Sequence, residues 1–189
     1  MKIKIFLYIL FISSSTFSND ISKFEIEGMS IGDSLLDYFS EKEIMENTYE
    51  RYEYLDDQTF TMFGIQSNYF NIYDVVQIHY KKNNNNYIIH SIYGKKLYEF
   101  NIDECYKEFD NILEEISSLF RNTEKVGPQF SNHPADVSGK SKVWAAYLWF
   151  ENGDYVAIEC YDWSEKVEYM NNLKVGLAFK EVSDWLNQN

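Results

Sequence analysis

The chain has 189 residues and a formal charge of −13, with 45% hydrophobic and 18% aromatic residues. That length usually means one domain, and the apolar fraction is enough to bury a core, which excludes a disordered chain. The acidity leaves no basic stripe to neutralise phosphates, which argues against nucleic acid and anionic membrane surfaces as partners.

Residues 1–18 read as a secretory signal peptide. Lys2 and Lys4 open it, "IFLYILFI" at 5–12 is its apolar core, and Thr16 and Ser18 precede a cut before Asn19. The core is far short of the roughly 20 residues that span a bilayer, and no later segment is long and apolar enough to do so. Removing 1–18 takes away two lysines and no acid, which moves the charge from −13 to −15. The expected location is periplasmic or secreted, with residues 19–189 as one domain. The excess of Tyr and Phe over Pro also fits an AT-rich genome, so part of the aromatic content needs no functional cause.

In chain order, Leu35, Leu36 and Phe39 are helix-spaced, and Ser40 with Glu43 forms a capping box that starts a second helix. "TFTMFGI" (59–65), "YDVVQIHYKK" (73–82) and "YIIHSIYG" (87–94) read as strands. A turn centred on Asn84–Asn85 would set His79 opposite His90. Residues 101–121 form the clearest helix, with Asn101 as N-cap and an apolar stripe of Ile102, Cys105, Phe109, Ile112, Leu113, Ile116, Leu119 and Phe120. Residues 122–141 read as a polar loop. "KVWAAYLWFENGDYVAIECYDW" is a hairpin whose Asn152-Gly153 suits a two-residue turn, which sets Ala145 opposite Cys160. "NLKVGLAF" alternates as a half-buried strand, and "KEVSDWLNQN" reads as a short helix. The expected fold is α+β: one antiparallel sheet of about six strands, helices on one face, order ααβββ-αβββα. The two halves suggest a degenerate duplication, although no residue-level repeat proves one.

Little in the chain resembles a catalytic motif. Cys105 lies on the helix stripe and Cys160 shares strand parity with Val156 and Ile158, so export favours a disulfide between them. Two buried free thiols are the alternative, and no base stands beside either thiol in sequence to make it catalytic. His79 and His90 would be two ligands of a metal, which without a third make a weak site. "SGKS" at 138–141 ends like a phosphate loop, but Pro134 stands where that loop needs a glycine. The pairs Asp33/Asp37, Asp56/Asp57 and Glu114/Glu115 read as solvated acids. Glu159 differs, because the predicted register puts it on an aromatic sheet face with Trp144, Phe150, Tyr155, Tyr161 and Trp163. Exposed aromatics of this kind suit a protein or ligand interface, and an acid in apolar surroundings can serve as a proton donor.

"EGMSIGDSLLDYFSEKEI", "HPADVSGKSKV" and "ECYDWSEKVEYMNNLKVGLAFKEVSDWL" resemble a set of small, uncharacterised exported proteins of AT-rich marine bacteria, over most of the mature chain. That resemblance implies no activity and transfers no site residue. At the level of fold, "GMSIGDSLLDYF" ahead of an antiparallel sheet looks like envelope lipoproteins of the SmpA/OmlA type, and the β-lactamase-inhibitor-protein type shares that layout in duplicate. The chain departs from the first group in lacking a lipidation Cys after the signal, and its length fits the duplicated layout better. The expected function is a non-enzymatic, soluble binding protein that meets a protein or small ligand through its aromatic sheet face. A small exported hydrolase with an acid centred on Glu159 is the alternative. No catalytic residue, metal or cofactor is assigned.

Overall fold

The computed structural model describes residues 21–49, 58–66, 70–99 and 101–187. The expected signal peptide and the Asp56/Asp57 pair lie outside them. The elements run α1 (Glu41–Glu46), β1 (Thr48–Tyr49), β2 (Phe60–Gln66), β3 (Val75–Lys81), β4 (Ser91–Tyr98), α2 (Ile102–Leu119), β5 (Glu124–Asn132), β6 (Lys142–Trp149), β7 (Tyr155–Asp162), β8 (Asn171–Ala178) and α3 (Lys180–Leu186). The fold is α+β with one antiparallel sheet, but the sheet has eight strands among the described residues, in the order β1-β2-β3-β4-β8-β7-β6-β5. Each half of the chain is a helix followed by a four-strand meander, and the halves join where β4 pairs with β8.

The expected order ααβββ-αβββα is corrected at three places, each with a local cause. Leu35–Asp37 makes only a 3-10 turn, because Ser34 caps it and Ser40 begins a new helix a few residues later. That second helix carries the expected capping box, with Ser40 and Glu43 bonded in both directions. Residues 124–132, expected as loop, form β5, a sheet edge exposed along its length. Its register shifts between Val126 and Gln129, around Gly127 and Pro128. Proline lacks an N–H and is tolerated only at an edge or bulge, so the strand does not read as one in sequence. β1 is two residues long and too short to leave a pattern.

Helices cover both faces of the sheet rather than one. α2 buries Cys105, Phe109, Leu113 and Ile116 on one face, against Ile158, Cys160, Leu173 and Val175. Leu119, expected on that stripe, is exposed instead. Cys105 and Cys160 are joined by a disulfide, their Cα atoms 6.1 Å apart. α3 covers part of the other face, where Val182 and Trp185 pack with Phe60, Tyr93, Tyr155, Ala157 and Ala178. No described helix is long and apolar enough to cross a membrane.

The β6–β7 turn decides which side chains reach which face. Gly153 N–H donates to Phe150 O at 2.9 Å and Phe150 N–H to Asp154 O at 2.9 Å, so the loop is Glu151-Asn152-Gly153, one residue longer than expected. Gly153 takes a left-handed φ of +86°, the conformation this longer turn requires at its last position. Cys160 therefore faces Trp144, and Ala145 faces Glu159. A one-residue slip turns every β6 side chain to the opposite face. The β3–β4 hairpin differs by one residue as well: His79 pairs with Ser91, not His90.

Candidate functional site

Small residues open a pocket on the α3 face. Gly176 in β8 has no side chain, and a Cβ there would lie 2.3 Å from the Tyr93 ring. Tyr93 from β4 thus lies across β8 and reaches Tyr155 of β7, with hydroxyl oxygens 2.7 Å apart. Ala157 and Gly176, opposite each other in β7 and β8, leave the floor low. β6 adds Tyr147 and Trp149 as a wall, with Trp149 and Tyr155 rings 4.7 Å apart at 37°. Ser183, Leu186 and Asn187 of α3 and its C-terminal end close the far side. The resulting cavity is about 310 Å³, at the lower end of the range for small-ligand sites.

Glu159 and Lys174 stand opposite each other in β7 and β8 and form the charged part of the cavity wall. Lys174 Nζ is 3.1 Å from Glu159 Oε2 and 4.1 Å from the centre of the Tyr93 ring. Tyr147 Oη–H donates to Glu159 Oε1 at 2.8 Å, and Tyr161 Oη–H donates to Oε2 at 2.9 Å. Glu159 is 7% exposed. Burial works to raise its carboxyl, but the Lys174 charge and hydrogen bonds from Tyr147, Lys174 and Tyr161 outweigh it and hold the group below the usual carboxylate range. Burial and the Glu159 charge push the Tyr147 phenol up, so Tyr147 keeps its proton and stays a donor.

His79 also lines the cavity, its Nδ1 2.6 Å from Ser91 Oγ. His90 lies farther out, between Phe60 and Phe179. The two imidazoles are therefore not paired across a hairpin, and no three His, Cys, Asp or Glu side chains converge on a metal site among the described residues.

Of the residues read from sequence, the structure brings Tyr155, Glu159 and Tyr161 to this face. Trp144 and Phe150 go to the opposite face, as the longer turn dictates. There the Trp144 ring lies 6.0 Å from Phe109 and Phe150 lies 5.2 Å from Phe120. Trp163 follows the end of β7 and packs with His133, Tyr161 and Tyr169, beside a separate hollow edged by Glu99 and Glu165. Tyr93, Tyr147, Trp149 and Lys174 were missed. The first three are hidden by the register error or by the unknown neighbour of β4. Gly176, a glycine inside a strand pattern, is the sequence signal that a large side chain crosses there.

No family model, no curated protein and no solved structure matches the chain.

Proposed function

We propose that this is a non-enzymatic binding protein of an extracytoplasmic compartment, periplasmic or secreted, which takes a small ligand in the pocket on the α3 face. The observation that carries the reading is the convergence of Tyr93, Tyr147, Trp149 and Tyr155 around a buried Glu159 paired with a half-buried Lys174. A few polar groups set within aromatic walls is the usual construction of a small-molecule site. The Cys105–Cys160 disulfide supports the compartment, because such bonds persist where thiols are not kept reduced.

The alternative, a hydrolase with Glu159 as acid, asks that carboxyl to hold a proton near neutral pH. Its surroundings act in the other direction. Among the described residues lining the cavity Glu159 is also the sole carboxylate, whereas glycoside hydrolysis ordinarily uses two.

The test is a fragment screen by NMR on protein labelled with fluorotryptophan. Small polar and aromatic fragments are expected to shift the Trp149 signal, and Trp149→Ala is expected to abolish their binding, read by saturation transfer to the fragment, without altering the melting temperature by more than a few degrees. Hits spread over the surface, or hits indifferent to Trp149→Ala, would count against the pocket.

A further inference from the structure

We infer that the pocket holds a neutral sugar ring, its C–H face stacked on Trp149 and two adjacent hydroxyls bonded to Glu159 and Lys174. This rests on the pocket being a ligand site, and it adds the chemical class of the ligand.

Charge is the first selector. Glu159 and Lys174 compensate each other at 3.1 Å. An incoming cation would seek the face of an aromatic ring. The Tyr93 face already carries the Lys174 ammonium at 4.1 Å, and a cation on the Trp149 face would share the cavity with that charge. An incoming anion would meet the Glu159 carboxylate, which is buried and fixed by donors from two tyrosines and a lysine. A ligand without net charge meets neither obstacle.

Hydrogen-bonding capacity is the second. A lysine ammonium has three N–H donors, and each carboxylate oxygen has two lone pairs. Lys174 donates to Glu159 Oε2, and Glu159 Oε1 accepts from Tyr147, so N–H donors remain on one group and a lone pair on the other. A donor and an acceptor thus sit side by side in the cavity wall. Adjacent hydroxyls, each able to give and to accept, match that pair. A purely apolar ring would cover it and leave it unpaired, which is unfavourable.

Shape is the third. Trp149 is half-buried and backed by Tyr155, whose hydroxyl is tied to Tyr93 at 2.7 Å. The Trp149 ring offers a flat face held in place before a ligand arrives, which lowers the ordering cost of binding. The cavity of about 310 Å³ is large enough for a single six-membered ring with its hydroxyls.

The test uses the full oxidised protein with methyl glucopyranoside, methyl galactopyranoside and methyl N-acetylglucosaminide as probes, and with choline and benzoate as charged controls. Saturation-transfer NMR is expected to show at least one glycoside bound, and Trp149→Ala to weaken it about tenfold or more. Glu159→Gln is expected to lose the glycoside and to gain benzoate, because the Lys174 charge is then uncompensated. Circular dichroism checks that both variants fold, and Trp149→Ala carries the test alone if Glu159→Gln does not. Binding of choline or benzoate without any glycoside, in a Trp149-dependent way, overturns the sugar assignment and leaves the ligand site standing. Binding of none of the five probes overturns the sugar assignment. The fragment screen then decides separately whether the pocket binds anything at all.

Discussion

On the face under α2, β7 contributes Val156, Ile158 and Cys160; on the face under α3, the same strand contributes Tyr155, Ala157 and Glu159. Burial hardly separates the two sets: the first three are 0% exposed, and the second three are 7%, 1% and 7% exposed. What separates them is chemistry. The α2 face is aliphatic and aromatic, crossed by a disulfide and covered by an 18-residue helix. The α3 face carries a compensated ion pair and a helix of seven residues that leaves beside it a cavity walled by Tyr93, Tyr147, Trp149 and Tyr155. Alternate residues of one strand thus serve the core on one side and a candidate site on the other. Polar groups buried next to empty space mark the second side.

The sharpest way to separate the faces is to remove the cross-link from the first. Cys105→Ala with Cys160→Ala opens a link between residues 55 apart in sequence. On the chain-entropy account the loss is about 4 kcal/mol, or roughly 10 °C in melting temperature for a chain of this size. Calorimetry should show that drop while the Trp149 signal of the folded protein stays where it was. A moved Trp149 signal would mean that the two faces are not independent.

The second test breaks the ion pair on the other face. Lys174→Met leaves Glu159 buried beside two tyrosine donors and without its charge partner, at a cost of about 3 kcal/mol near neutral pH. The sign of the pH dependence then reverses. In the native protein the Glu159 carboxyl is held below its unfolded value of 4.5, so its contribution is present above that value and lost as pH falls through the folded one. In the variant, burial is no longer outweighed and the carboxyl rises above 4.5. Its stability is then greatest in acid and falls as pH rises through the raised value. Urea midpoints at pH 4 and pH 7 should show the gap between native protein and variant narrowing in acid. A gap of equal size at both pH values would mean that lost packing, not charge, accounts for the damage.

The same contrast explains what could be read from the sequence. The Cys105–Cys160 pairing depends on one helical stripe and one strand's own alternation, and neither requires a partner strand to be known. The Ser40 capping box is four residues long and equally local. The pocket is different, because it joins side chains from β3, β4, β6, β7, β8 and α3. Its wall hung on whether the loop after Phe150 holds two residues or three, and Asn152-Gly153 is compatible with both. The three-residue form is favoured by contacts outside the hairpin. Asp154 Oδ1 accepts from Lys180 N–H at 2.9 Å, where α3 begins, and a Cβ on Gly153 would come within 2.6 Å of the Lys180 side chain. The turn and α3 fix each other, and no local pattern reports that. A lone lysine in a strand ordinarily faces solvent, and only the pairing of β7 with β8 sets Lys174 against Glu159.

The smallest expected effect concerns the edge of α3, and it asks how firmly that helix closes its face. His90 lies between Phe60 and Phe179, and Glu181 of α3 meets its Nδ1 while also pairing with Lys81 of β3 at 2.8 Å. Burial lowers the imidazole from 6.5; Glu181 pulls it back up, Lys81 pushes it further down, and the balance is a lowered value. A folded state that resists the proton is favoured above the unfolded pKa and loses that advantage as pH falls through the folded one. Stability should therefore decline slightly on acidification from 6.5, before the carboxylates titrate. His90→Gln should flatten that part of the curve and leave the rest unchanged. Because Glu181 is partly exposed, solvent screens the pair and the slope is shallow. Trp185 packs on Phe60, with ring centres 5.4 Å apart, so its fluorescence reports the step from inside the α3 face. A step of the same size in His90→Gln would move its origin to another group.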